Sequence, residues 1–442
     1  MWPALVLGGA LALGPTPAPT NPAQSTVSGS PVVPRPVDYA PTPSPSGPEP
    51  QTLTIEVPLA QAPSLATTQI KPAAPTTAPD RWPLMNALQG TWYGAELDDQ
   101  RLSVSGWASM TFTGSTDRHD QLPMGFNYLA NQFTLQQNLV RVERFVDPNA
   151  TTPTWGFRSD TILPGVDYRF TIARGLFDHQ LVADNGAPNL YGIDPVQFYG
   201  ELYVPEVGRG LDIKLGRFFA LFGAESIDTT QNAVYSRAYN FLYNPYTHTG
   251  LLTTLKLTDA WSVQNGIVTG SDVFIDPAAN PTYIGSAKWA PPTGRDSVLV
   301  SVILGKGRYD AARSFSNPEL FDLVYAHKVS DRLTYTVDAT YSFQTGFPNV
   351  GFVNNWGVVQ YLTYQFSSKL FATSRLEFFD DVQGQRTGFK GLYTALTTGV
   401  TYKVAPYFWL RPELRYDTNA ESRPFEGKPD LFTATLNVLL RW

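Results

Sequence analysis

The sequence predicts an all-β protein: a transmembrane antiparallel β-barrel of about sixteen strands, preceded by a disordered Pro-rich segment. Three observations carry this. From about Leu102 the chain falls into runs of roughly ten residues that alternate apolar and polar, each bounded by Gly, Pro, Asn, Asp or Ser. The links between runs alternate between brief and long. The 442 residues are only 16% charged but 13% aromatic, where soluble domains run near about a quarter charged. Past the N-terminus no uncharged apolar run approaches the roughly 18 residues of a membrane helix, so a membrane location has to come from strands.

Residues 2–14 are a short apolar segment matching the core of a secretory signal, with Ala10-Leu11-Ala12 as a cleavage-like site. No Lys or Arg precedes it, the first being Arg35. Residues 15–80 are rich in Pro, Ala, Thr and Ser, as in Pro41-Thr42-Pro43-Ser44-Pro45. Such a stretch buries too little apolar surface to offset chain entropy and reads as a disordered periplasmic linker. Leu53–Val57 within it faintly resembles a transporter coupling box, and reads as a sticky patch because no plug domain follows. Residues 81–442 are assigned to the barrel.

Strands are expected near 102–113, 132–144, 155–163, 196–205, 210–219, 249–257, 261–271, 282–290, 296–305, 319–328, 334–343, 355–366, 369–378, 394–404, 407–416 and 431–442. Even strands are followed by brief links such as Thr258-Asp259-Ala260, Ser367-Ser368 and Ala405-Pro406; odd strands mostly by ten residues or more. Short periplasmic turns alternating with long extracellular loops mark an outer-membrane barrel, with both ends of the strand array on the periplasmic side. Alternation then assigns faces. Phe408, Leu410, Pro412, Leu414 and Tyr416 point to lipid, and Arg411, Glu413 and Arg415 to the lumen, because a charge at the lipid midplane costs about 2–4 kcal/mol. The same logic places Arg158, Asp160, Asp212, Lys214, Lys256, Asp338, Arg375, Glu377 and Lys403 inside. Pro412 predicts a bulge. Tyr203, Tyr325, Tyr341, Phe366, Phe378, Tyr402 and Tyr407 are read as the aromatic girdle. In the last strand Leu439 breaks the polar inner face, and the terminal aromatic Trp442 fits a signal for the outer-membrane insertion machinery and an intact C-terminus.

Sixteen strands leave an aqueous interior. The longest links fall at 164–195 and 220–248, and the second is expected to fold inward and narrow the lumen. Glu225, Asp228 and Arg237 would then oppose a wall bearing Arg158, Arg375, Arg411 and Arg415, with Asp160, Lys214, Glu377 and Glu413 among the pore-lining charges, and exchange of Arg375 or Arg411 for Glu would raise cation preference. Tyr235, Tyr239 and Tyr243 are placed to stack on sugars if the channel is solute-specific. A blocked structural barrel, with the Pro-rich arm gripping peptidoglycan, is the remaining reading.

Zero cysteine and a net charge of −6 argue against thiolate metal sites and a nucleic-acid partner; no cofactor is expected. Of the four histidines, 119, 179 and 248 fall in predicted loops and 327 at a strand end. With no G-x-S-x-G or H-E-x-x-H, and Gly305-Lys306-Gly307 too short for a phosphate loop, an enzyme is not expected.

Trp155–Asp160, Gly216-Arg217-Phe218, Gly223-Ala224-Glu225, Tyr235–Tyr239 and Pro245–Gly250 occur in this order. This pattern resembles the OmpL-like β-barrel porin family abundant in planctomycetes, most clearly over 155–272 and loosely from Trp82 to Trp442. Relatives tend to carry Tyr-Gly-x-Asp and Gly-Trp-Asp where this chain has Pro164–Asp167 and Gly270-Ser271-Asp272. The resemblance implies an outer-membrane pore for small hydrophilic solutes and ions, seated in outer-membrane lipid. Porins of this size are often trimers. It brings no catalytic residues.

Overall fold

The computed structural model describes residues 81–442 apart from 184, 278 and 310–316. The expectations for the signal-like segment, the linker and Leu53–Val57 lie outside the described residues. Among the described residues sixteen strands form one closed barrel. The first eight are β1 Leu102–Ser115, β2 Phe133–Arg144, β3 Thr154–Gly165, β4 Gly192–Val204, β5 Leu211–Phe219, β6 Thr247–Lys256, β7 Trp261–Val268 and β8 Thr282–Trp289. They continue as β9 Asp296–Leu304, β10 Glu319–Lys328, β11 Leu333–Phe347, β12 Gly351–Ser367, β13 Leu370–Asp381, β14 Gly391–Ala405, β15 Phe408–Asn419 and β16 Asp430–Arg441. Short helices α1 Pro83–Ala87 and α2 Trp92–Asp99 precede the barrel, α3 Tyr168–Thr171 follows β3, and α4 Tyr239–Tyr243 lies between β5 and β6.

Each strand pairs antiparallel with its sequence neighbour, and β1 closes on β16 from Trp107↔Arg441 to Ser115↔Thr433. Closure leaves no strand edge, which lipid could not satisfy. Trp442 extends the seam: its N–H donates to Gly106 O at 2.9 Å and its carbonyl accepts from Gly106 N–H at 3.0 Å. A Cβ at residue 106 would fall 2.2 Å from both the Leu139 carbonyl oxygen and the Trp442 ring, which is why glycine stands there. Outward residues such as Leu215, Leu396 and Leu414 are exposed, as a lipid-facing surface requires.

Three expectations change, and a fourth gains its reason. The link foreseen at 344–354 is a hairpin, because β11 and β12 keep pairing to Phe347↔Gly351 around a tight turn with Asn349 and Gly351 at positive φ. No bulge forms at Pro412. The β14–β15 pairing skips Pro412 and Arg411 but resumes in the same register, from Gly399↔Glu413 to Tyr402↔Leu410, and its shift comes later, between Lys403 and Ala405. Pro412 pairs with Leu436 on its other side. Tyr203 leaves the girdle: opposite Asp212 and in phase with Glu201, it faces inward and is buried. Leu439 breaks the polar inner face because it joins Trp107, Leu139 and Trp409 in an inner apolar patch at the short-turn end. Trp82, just ahead of α1, stacks on Trp107 at 5.9 Å and accepts the Arg441 guanidinium over its ring at 4.2 Å.

Candidate functional site

Paired strands put inward residues into cross-strand rows, and on β11–β15 those rows alternate in charge. Asp338, Glu377 and Asp417 share one row through the partners Val359 and Ala395. Arg375 and Arg415 share the next, through Thr397. Adjacent rows pair off: Arg375 meets Glu377 at 2.7 Å, and Arg415 meets Glu377 at 3.1 Å and Asp417 at 2.8 Å.

The segment between β5 and β6, residues 220–246, folds into the barrel as expected, and nearly all of it is buried. An irregular segment at membrane depth carries backbone groups that no ladder satisfies, and they must find partners inside the protein. The charged wall supplies them. Its carboxylates accept backbone N–H groups: Asp322 from Gly223 at 3.1 Å, Asp338 from Ala224 at 2.8 Å, Glu377 from Tyr239 at 2.8 Å, and Glu413 from Tyr235 and Ser236 at 2.8 and 3.1 Å. Its arginines donate to carbonyls: Arg375 to Ser236 O at 2.6 Å, Arg415 to Arg237 O at 2.8 Å, and Arg411 to Thr229 O at 2.7 Å. Side-chain pairs complete the contact, Glu225 with Arg375 at 2.7 Å and Asp228 with Arg141 at 2.9 Å. Gly357 leaves room for the segment, since a Cβ there would fall 1.8 Å from Asn240 Oδ1.

This corrects the expected role of the wall charges. Arg375, Glu377, Arg411, Glu413 and Arg415 are on the inner face, but each is at most 4% exposed and is covered by the segment rather than by water. Exchange of Arg375 or Arg411 for Glu would first disturb the segment, not ion preference. Glu225 and Asp228 do oppose arginines, in direct ion pairs with no gap for a solute. Arg237 lies over the rings of Phe126 at 5.1 Å and Phe241 at 5.4 Å and donates to Tyr235 O at 2.7 Å. Burial pushes the Asp167 carboxyl up to about 7, with the Arg237 charge opposing that shift. Arg158 and Asp160 pair at 3.0 Å, and Asp160 also holds Arg141 at 2.9 Å; Lys214 reaches Glu201 at 3.4 Å and the Tyr199 hydroxyl at 2.8 Å. The sugar-stacking expectation also fails geometrically. Tyr235, Tyr239 and Tyr243 are buried. Tyr239 and Tyr243 stack on Phe379 at 5.7 and 5.3 Å, and the Tyr239 hydroxyl donates to Asp417 at 3.0 Å.

Sequence reasoning missed Arg141, and the reason is visible. A register shift between Ser109 and Met110 reverses the phase of β2 partway along, so its inward residues do not alternate continuously. It also missed the inward lysines Lys288 and Lys328, which are single cations at the ends of otherwise unremarkable strands. His248 opens β6 rather than lying in a loop, is buried, and pairs through Nδ1 with Gly270 O at 2.9 Å.

The sequence pattern of the family described as "Putative beta-barrel porin-2, OmpL-like" matches residues 101–441. The chain belongs to that family. This porin is therefore an outer-membrane protein in contact with outer-membrane lipid, and its barrel is a channel for passive diffusion. The short-turn end, with Trp82, α1 and Trp442, is its periplasmic end. Among curated proteins none matches it. Among solved structures it is similar to the anion-selective porin from Comamonas acidovorans, with 8% identity, 77% of this chain and 99% of that chain covered, and a TM-score of 0.51. It is also similar to OprB of Pseudomonas putida in its high-pH structure, with 12% identity, coverage of 83% and 99%, and a TM-score of 0.51. At these identities the likeness is one of fold.

Proposed function

We propose that this porin passes small hydrophilic solutes and ions through its lumen, past the folded-in segment, and does no chemistry on them. One observation carries the reading. Toward the periplasmic end, the inward residues Glu201, Lys256, Ser262, Ser286, Lys288, Ser297 and Lys328 of β4 and β6–β10 keep partial exposure, while their counterparts along β12, β13 and β15 are buried. Farther in, Leu252, Ile284, Ile303 and Leu320 of these strands are buried with Ala220, Leu221 and Phe222 of the segment, and this constriction favours ions and small solutes over bulky ones. Single-channel recording in a planar bilayer, with neutral solutes of graded size, tests this: small ohmic steps with exclusion of the larger solutes are expected, and wide steps indifferent to solute size would refute it. A solute-specific channel would instead show saturable block by a sugar.

Three further parts of the proposal concern partners. The insertion machinery reads the end of β16 through Trp442, whose indole is seated on the β1 seam. Homotrimer assembly is checked by the mass of the detergent-solubilised protein. A hold of residues 15–80 on peptidoglycan is checked by co-sedimentation with isolated sacculi.

A further inference from the structure

Near its start the folded-in segment meets a patch of wall whose negative charge has no counterpart. Asp322 of β10 and Asp338 of β11 both point inward and are 3% and 2% exposed. They hold two consecutive backbone groups, the Gly223 N–H at 3.1 Å and the Ala224 N–H at 2.8 Å, so the two carboxylates crowd one spot. Among the described residues neither is in an ion pair. The carboxylates farther along the wall are already neutralised: Glu225 and Glu377 share Arg375 at 2.7 Å, and Glu377 and Asp417 share Arg415 at 3.1 and 2.8 Å. Lys288 is in the next cross-strand row, about 12 Å from Asp322 between Cα positions at ordinary strand spacing, and pairs with neither carboxylate. Two buried carboxylates held side by side without a cation are costly.

The oxygens around this pair are also unspent. Ser301, Asp322, Thr340 and Gly357 form one cross-strand row over β9–β12. Ser301 is fully buried on the inner face, and its hydroxyl has no hydrogen-bond partner; Asp322 Oδ1 has none either. Over Gly357, in the space a side chain would fill, stands Asn240 Oδ1, 1.8 Å from where the Cβ would be. The Asn240 amide nitrogen donates to Asp338 Oδ1 at 3.0 Å and to Gly357 O at 3.3 Å, which fixes the amide oxygen over the row. That oxygen too is buried without a partner. The surroundings are otherwise apolar, with Val324, Val359 and Ala224 packed together beside the pair. Carboxylate, hydroxyl and amide oxygens are the donors of a hard cation. The row holds no imidazole or thiolate to favour a transition metal.

We propose that Asp322 and Asp338, with Ser301 Oγ, Thr340 Oγ1 and Asn240 Oδ1, bind one divalent hard cation, calcium in preference to magnesium. The ion ties the start of the folded-in segment to the β9–β12 wall. Two carboxylates match its charge. The donors come from three strands and from α4 of the segment, an arrangement that suits the adaptable coordination of calcium better than the strict octahedron of magnesium. The row continues to Ser286 of β8, which is partly exposed toward the periplasmic end, so the ion has an oxygen-lined way in.

The full chain, refolded in detergent without lipopolysaccharide and stripped with EDTA, is titrated with calcium chloride by calorimetry at pH 7. One calcium per chain is expected, with a Kd of about 10⁻⁴–10⁻³ M or tighter, and magnesium should bind at least several-fold more weakly. At ten times Kd, exchange of the Gly223 and Ala224 amides should slow about tenfold. D322N/D338N should abolish both effects. Ser301→Ala keeps every charge and removes no hydrogen bond, so it should fold as wild type and weaken calcium binding several-fold. This second variant frees the test from the folding of the first. A wild type that takes up no calcium, as when the two carboxylates share a proton instead, overturns the proposal. So does calcium binding left unchanged by Ser301→Ala or by a folded D322N/D338N barrel, which would place the ion elsewhere. Magnesium bound as tightly as calcium would overturn the choice of ion. Conductance plays no part in these readouts, so the outcome stands apart from the channel reading.

Discussion

Arg375→Ala tests the claim that the charged wall exists to hold the folded-in segment. The guanidinium pairs with Glu377 and Glu225, both at 2.7 Å, and donates to Ser236 O at 2.6 Å, Ser236 Oγ at 2.8 Å and Thr397 Oγ1 at 3.2 Å. Its removal leaves two buried carboxylates facing a cavity, and breaking one side of a buried pair costs about 3–5 kcal/mol. Part of that is recovered, because Glu377 keeps Arg415 at 3.1 Å and Glu225 keeps the Tyr361 hydroxyl at 3.1 Å. The lower end, about 3 kcal/mol, is therefore expected to fall on the attachment of the segment. At about 1.4 kcal/mol per tenfold, the detached population should rise roughly a hundredfold. The barrel itself should persist, since its ladder is untouched. Single-channel recording should show larger steps with flicker, and amide exchange across 224–240 should accelerate, while heat-modifiable migration stays as in wild type. Wild-type conductance together with wild-type exchange in a folded barrel would refute the reasoning. Arg209→Ala is the control: its pair with Asp259 is on a solvent-exposed turn, where solvent screening leaves such a pair little to contribute.

Other outcomes follow from the same geometry. Gly357→Leu should displace Asn240 and loosen the segment, read as faster amide exchange across 224–240 in a barrel that still folds, and wild-type exchange would refute it. Gly106→Leu should clash with the Leu139 carbonyl and the Trp442 ring and slow insertion into liposomes by several-fold, and normal insertion would contradict the close packing at this seam. Leu414→Arg, on the lipid face, should cost about 2–4 kcal/mol by denaturant titration in lipid, and less than about 1 kcal/mol there would contradict the assigned face. Burial raises the Glu426 carboxyl, but hydrogen bonds from the Arg118 and His119 backbone N–H groups outweigh this and hold it down at about 2. A carboxylate depressed in the folded state stabilises above its ordinary value near 4.5 and stops doing so as pH falls through the folded value. The contact between residues 117–120 and 425–428 should therefore survive at pH 4 and open near pH 2. Limited proteolysis across that range reads it, and opening already at pH 4 would refute it.

The barrel was legible in the sequence because its constraints are local. A strand between lipid and lumen must alternate, and a charge cannot face lipid cheaply, so Arg411, Glu413 and Arg415 were placed inward by parity alone. The two longest links, and the inward course of the second, were legible from loop length. What parity cannot say is what an inward side chain faces. Water and a polar backbone both suit Arg375, and only the path of residues 220–246 through space decided between them. Register shifts hide phase in the same way, as with Arg141, and Leu439 made sense only once the inner apolar patch with Trp107 and Trp409 existed. The sequence by itself determined the strands and their faces, which follow from neighbours within one or two residues, and implied closure, because lipid cannot satisfy an open strand edge. The tertiary structure alone decided which inner charges are used up in holding the folded-in segment and which, like Lys288, take no part in holding it, because that depends on groups a hundred or more residues away.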